Sequence, residues 1–198
     1  MIKAVLFDLD GVLVDSFEAW WRLLDAAARH FGCLPVSRDQ FRSVYGQPTE
    51  ADVRGFFPGQ TETEVEAFYT GHFSEFASYI RVEPEASRIV SALRQQGIGT
   101  AVITNTAAPI ARFILSEASI EPNVLVGSSD VPRAKPAPDM VWRACELLNV
   151  PPTEALVVGD SRYDRQAAEA AGTRFAGLGV RGGRELTCLT DVLDVVKE

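Results

Sequence analysis

Ala4-Val5-Leu6-Phe7-Asp8-Leu9-Asp10-Gly11 is the stretch that decides how this chain folds. Four apolar residues run without interruption into two carboxylates and a glycine. A run this short and apolar, closed by a turn residue, is the pattern of a strand buried on both faces, as in a parallel sheet. Four further runs share its character: Thr100-Ala101-Val102-Ile103, Val124-Leu125-Val126, Ala155-Leu156-Val157-Val158 and Arg174-Phe175-Ala176-Gly177-Leu178. Helical periodicity falls between them, near 85 to 96, 107 to 118, 137 to 149 and 163 to 171. Alternating strand and helix predicts an α/β fold, a Rossmann-like doubly wound parallel sheet with helices on both faces.

The block from 16 to 82 breaks that rhythm. It has no comparable strand run but several helix starts. Trp20, Leu23, Leu24, Ala27, Ala28 and Phe31 recur at helical spacing over 17 to 31, and Gly32 stops that helix. Ser37 with Gln40, Thr49 with Asp52 and Thr61 with Glu64 fit N-terminal capping pairs. Pro58-Gly59 then separates the third helix from a fourth carrying Val65, Phe68, Tyr69 and Phe73. The expected organisation is a core of 1–15 and 83–198 with a small all-helical cap, 16–82, inserted after the first strand. Linkers near 14 to 17 and 79 to 84 serve as its hinges.

The 198 residues are 46% hydrophobic, enough for one substantial core with a small appended domain. No apolar stretch approaches the roughly 20 residues that span a bilayer. The start, Met1-Ile2-Lys3, runs directly into a strand, so no membrane partner and a cytoplasmic location are expected. Cys33, Cys145 and Cys188 lie far apart and are read as buried, reduced thiols. The net charge of −8 and the lack of a basic run argue against a nucleic-acid partner.

Three strand runs end in polar residues: Asp8 to Gly11, Thr104-Asn105 and Gly159-Asp160. Ligands of open α/β sheets bind outside the carboxyl ends of the strands, so these groups can converge, and Lys135 in a later loop can join them. Two carboxylates as close as Asp8 and Asp10 repel, and a divalent cation such as Mg²⁺ relieves the repulsion. Asp160 adds a further metal carboxylate, and Asp164, four residues on, can face the same side. A carboxylate attacking phosphorus forms an acyl phosphate, with a second carboxyl as acid and base. Thr104, the Asn105 backbone N–H and Lys135 supply donors to the developing charge.

These residues resemble the haloacid dehalogenase superfamily of phosphohydrolases. The matching stretches are Asp8-Leu9-Asp10-Gly11-Val12, Ile103-Thr104-Asn105, Lys135-Pro136-Ala137-Pro138-Asp139 and Gly159-Asp160-Ser161-Arg162-Tyr163-Asp164, in the family's order across the core. The helical block resembles the cap of the subgroup containing phosphoglycolate phosphatase and β-phosphoglucomutase. The resemblance implies that Asp8 is phosphorylated, that Asp10 is its acid/base partner, and that Mg²⁺ is bound by the Asp8 carboxylate, the Asp10 main-chain carbonyl and Asp160. Asp164 joins the metal site directly or from behind. Gly11, Asn105, Tyr45 and Arg54 are the expected substrate contacts, Gly46 adjoining them, and Trp20 and Trp21 are read as cap packing.

Asp10 argues against carbon–halogen cleavage, whose enzymes lack an aspartate there. Phosphonate cleavage in this family needs a cap lysine, and the chain has only Lys3, Lys135 and Lys197. The expected function is Mg²⁺-dependent hydrolysis of a small phosphorylated metabolite, phosphoglycolate-like or a short sugar phosphate, by a monomer or homodimer. The alternatives are a sugar-phosphate mutase and a phosphate-sensing module without turnover.

Overall fold

A computed structural model describes residues 1–197. The chain opens with strand β1 (Ala4–Phe7) and the two-residue β2 (Val14–Asp15). Four helices follow: α1 (Phe17–His30), α2 (Arg38–Arg42), α3 (Thr49–Phe56) and α4 (Glu62–His72), the last continued by a 3-10 turn over Phe73–Tyr79. Then come β3 (Arg81–Val82), α5 (Ala86–Gln95), β4 (Gly99–Ile103), α6 (Ala108–Glu117), β5 (Val124–Val126), α7 (Asp139–Leu148), β6 (Ala155–Gly159), α8 (Arg162–Ala171), β7 (Arg174–Leu178), β8 (Arg184–Leu186) and α9 (Val192–Val195).

Six strands form one sheet in the order β5-β4-β1-β6-β7-β8. Every pairing in it is parallel. Because successive side chains of a strand point to opposite faces, the sheet divides the interior in two. Val5, Phe7, Val102, Leu156 and Val158 enter one apolar cluster, which is continuous with the helical block through Leu23, Leu24, Phe57 and Phe73. Ala4, Leu6, Ala101, Ile103, Ala155 and Val157 enter the other, against α7 and α8. Burial on both faces explains why these strands read as unbroken apolar runs.

All five expected strands are present. The sequence reading missed β8, whose Arg-Glu-Leu composition carries no apolar run because it lies at the sheet's edge. It also missed the antiparallel pair of β2 and β3, where Val14 faces Val82 and Asp15 faces Arg81. The segments expected as hinges are thus paired with each other.

Ser37 and Thr61 form complete capping boxes with Gln40 and Glu64. The Thr49–Asp52 pair does not. Pro48 is the residue before α3, so Thr49 already lies within the helix. Asp52 instead turns inward, accepting bonds from Gln47 Nε2 at 2.7 Å and the Tyr69 hydroxyl at 3.1 Å. Of the thiols only Cys145 is buried; Cys33 is half-buried and Cys188 exposed. Among the described residues, no helix is long and apolar enough to cross a membrane.

Candidate active site

Chain order along the sheet reverses at β1: β4 and β5 lie on one side of it, β6 to β8 on the other. The crevice where such a reversal occurs is where α/β sheets hold ligands. Asp8 leaves the end of β1, its backbone N–H still bonded to the Val158 carbonyl at 2.8 Å, and Asp160 leaves the end of β6.

Asp8, Asp160 and Asp164 each bring a carboxylate oxygen within 4.8 Å of the others. Lys135, fully buried, lies among them. Its ammonium is 2.8 Å from Asp8 Oδ1 and 2.6 Å from Asp164 Oδ1, and it donates to the Ile103 carbonyl at 3.1 Å. One cation facing three carboxylates leaves the cluster net negative. Burial, the neighbouring Asp164, and Asp160 and Asp10 behind it raise the Asp8 carboxyl well above the usual range, with Lys135 opposing. Burial and Asp164 push Asp160 up to about 7. Burial alone would lower the Lys135 ammonium, but Asp164 and Asp8 together hold it above its ordinary value. An excess of buried carboxylate oxygens fits a hard divalent cation such as Mg²⁺.

Asp164 is the most committed member. It is completely buried at the start of α8. Its Oδ1 receives Lys135, and its Oδ2 receives the Ser161 backbone N–H at 3.1 Å and hydroxyl at 2.5 Å. Gly11 makes room for Asp160. At φ +91° it occupies a conformation that glycine adopts without penalty, and a Cβ there would stand 2.0 Å from Asp160 Oδ2.

Asp10 turns away from this cluster toward the helical block. Its Oδ1 accepts from the Ser16 hydroxyl and, at 3.0 Å, from Trp20 Nε1. Its Oδ2 accepts from Thr106 at 2.8 Å and Thr104 at 3.3 Å. The Ser16 hydroxyl lies 2.8 Å from the Tyr45 hydroxyl, whose phenol is pushed up by burial and by the nearby Asp10 charge. Four donors on one carboxylate fix its orientation.

Ser16, Trp20 and Thr106 were not singled out as site residues. Trp20 does pack, tilted against Phe73 and edge-on to Tyr69, but its ring N–H serves Asp10, so packing alone understates it. Thr106 had one available signal, its place two residues beyond Thr104.

Asn105 lies in the loop before α6, not in its first turn. Its side-chain amide donates to the carbonyls of Gly46 at 2.9 Å and Lys135 at 3.0 Å, and accepts from the Lys135 backbone N–H at 2.9 Å. It joins the helical block to the sheet. Asn105 also lines a cavity of about 50 Å³, to which Asp8, Asp10, Thr104, Thr106 and Lys135 contribute from the sheet side. Trp20, Phe41, Val44, Tyr45, Gly46, Gln47, Thr49, Asp52 and Tyr69 line it from the helical block.

Arg54 is not among these residues. Its side chain is 69% exposed and pairs with Glu50 at 2.7 Å. Two positions along a helix turn a side chain through about 200°, so while Asp52 faces the cavity Arg54 faces solvent.

The model of the haloacid dehalogenase-like hydrolases matches residues 5–178. The chain belongs to this family. Haloacid dehalogenase-like relatives include hexitol phosphatase A of Escherichia coli, 33% identical over 86% of this chain and 80% of that protein. Phosphoglycolate phosphatase 1 of Pseudomonas aeruginosa is 29% identical over 93% of this chain and 72% of its own length. Among solved structures, a subfamily IA haloacid dehalogenase-superfamily hydrolase of Geobacter sulfurreducens superposes with a TM-score of 0.80 at 26% identity, covering 98% of this chain and all of the other.

Proposed function

We propose that this haloacid dehalogenase-like hydrolase is a Mg²⁺-dependent phosphatase that cleaves a small phosphate monoester through an aspartyl phosphate on Asp8. The observation that carries this reading is the buried Lys135 ammonium bonded to Asp8 within a carboxylate cluster, with a second, separately oriented carboxyl, Asp10, lining the same cavity. The relatives named as phosphatases support it.

Asp8 Oδ1 is engaged by the Leu9 backbone N–H at 2.7 Å and by Lys135. Oδ2 is the oxygen left to attack phosphorus. As that P–O bond forms, the ester bond breaks and the leaving oxygen takes a proton from Asp10. Water then gives a proton back to Asp10 and attacks phosphorus, releasing phosphate and restoring the Asp8 carboxylate. Of the four groups on Asp10, three are hydroxyls, which can turn from donor to acceptor when Asp10 gains its proton; only Trp20 is a fixed donor.

Asp8, Asp160 and the Asp10 main-chain carbonyl would hold the metal, with Asp164 behind them fixing Lys135. Bound Mg²⁺ supplies positive charge beside the phosphoryl oxygens. Lys135 and Thr104 supply donors from the protein. The helical block acts as a cap, excluding bulk water when closed.

The test is Mg²⁺-dependent release of phosphate from p-nitrophenyl phosphate by the wild type and by Asp8→Asn. The variant should lose at least about 10³-fold in turnover, as for an essential nucleophile. Turnover retained in Asp8→Asn overturns the covalent mechanism.

A further inference from the structure

Asp52 has no part in the chemistry proposed above, yet it lines the same cavity from the helical block. It is 8% exposed, and among the described residues the hydrogen-bond partners of its carboxyl, Gln47 and Tyr69, are neutral. A carboxyl buried this far without a cation is costly to maintain for folding alone. Each of its oxygens keeps a lone-pair direction beyond the bond it already accepts.

The cavity is equally defined by what its lining offers in charge. Among the described residues lining it, Lys135 is the one cation, and Asp8 and Asp164 engage it. A substrate carboxylate would lie here beside Asp52 with no guanidinium, ammonium or imidazolium to pair with. Burying an unpaired carboxylate beside another is unfavourable on both counts.

Resting on the phosphatase reading, we infer that Asp52 is a specificity residue that accepts hydrogen bonds from hydroxyl groups of the substrate's organic part, so that the substrates are phosphate monoesters of short, uncharged polyols and not of hydroxy acids. The small volume, about 50 Å³, favours a short organic part. Tyr45 and Thr49 add neutral hydroxyls to the same wall. Burial pushes the Asp52 carboxyl up to about 7. Near neutrality it can therefore both donate and accept, which matches a hydroxyl better than an ammonium that only donates.

The experiment compares kcat/KM, with Mg²⁺, for glycerol 1-phosphate, ethyl phosphate, phosphoglycolate and phosphoethanolamine, using p-nitrophenyl phosphate to establish phosphatase activity. Wild type should favour glycerol 1-phosphate over each of the other three alkyl esters by about 10-fold or more, the worth of one buried hydrogen bond. Asp52→Leu should bring the ratio of glycerol 1-phosphate to ethyl phosphate close to one. Asp52→Asn, which keeps an acceptor but no charge, should hold that ratio within about threefold of wild type. A merely structural role would lower both esters together and leave the ratio unchanged. Hydrolysis of the aryl ester with phosphoglycolate or phosphoethanolamine preferred overturns this inference alone, as does an unaltered ratio in Asp52→Leu. Absence of all phosphate release overturns the phosphatase reading and this inference with it.

Discussion

Lys135 and Asp164 form an ion pair at 2.6 Å between two side chains that water does not reach. Removing one partner of a buried pair leaves the other charged and unsolvated, which costs about 3 to 5 kcal/mol. Asp164→Ala should therefore lower the urea midpoint with little change in the denaturant slope, since the surface exposed on unfolding is nearly the same. It also removes the two bonds that Asp164 Oδ2 accepts from the Ser161 backbone N–H and hydroxyl at the start of α8, adding to the loss.

Asp10 separates two classes of leaving group. An alkoxide needs the proton that Asp10 supplies, whereas p-nitrophenolate leaves readily without one. Asp10→Asn should depress turnover of alkyl phosphates by about 10² to 10⁴-fold, the usual worth of general acid–base catalysis, and of the aryl ester distinctly less. Equal losses on both, in steady-state assays, would count against the acid role. Thr106→Val, removing a single 2.8 Å bond to Asp10, should produce a milder loss of the same selectivity.

Gly11 has no room to become alanine. The new methyl would overlap Asp160 and impose a left-handed backbone on an L side chain. Gly11→Ala should cost about 1 to 3 kcal/mol in stability from strain. It should also raise the Mg²⁺ concentration needed for half-maximal activity, because Asp160 is the group displaced. Titration of activity against Mg²⁺ measures the second effect independently of the first.

The Asp52 carboxyl predicts a pH dependence of stability with a definite sign. Its folded value of about 7 lies above the ordinary 3.8, so the native state favours the neutral acid. That preference is fully present below about pH 4, and its benefit is lost as pH rises toward 7. At higher pH the wild type carries a penalty of roughly 4 kcal/mol relative to a side chain that does not ionise. Asp52→Asn should thus gain stability over wild type progressively from pH 4 to pH 7 and hold a constant margin above it. Thermal melts of both proteins across that range provide the comparison.

The sheet was legible because its central strands are buried on both faces and so carry no polar interruption. Arg184-Glu185-Leu186, at the edge, lacks that signature, and Val14-Asp15 with Arg81-Val82 are too short to show any period. In the candidate site, the carboxylates could be read because Asp8 and Asp160 directly follow strands and Asp10 and Asp164 lie two and four residues beyond them. The donors around Asp10 could not. Ser16 and Trp20 reach it only because β2 folds the chain back before α1 begins, and nothing in their local spacing records that. That Arg54 faces solvent was illegible for a similar reason: which side of this short polar helix faces inward is tied to the bonds Asp52 makes, one of them to Tyr69, 17 residues away.

Where Asp15 faces Arg81, in a two-stranded ribbon separate from the main sheet, the chain enters the helical block and comes back at the same place. The strand that departs and the strand that returns are already together, so the sheet is insensitive to the length of the excursion between them. Doubling that excursion would add only about 0.6 kcal/mol of closure entropy. A longer, shorter or differently shaped block could be grafted between these two residues while β1, β4 and β6 kept their register. The ribbon thus makes this junction a natural point for exchanging one recognition surface for another, so long as the start of α1 keeps Ser16 and Trp20 on Asp10.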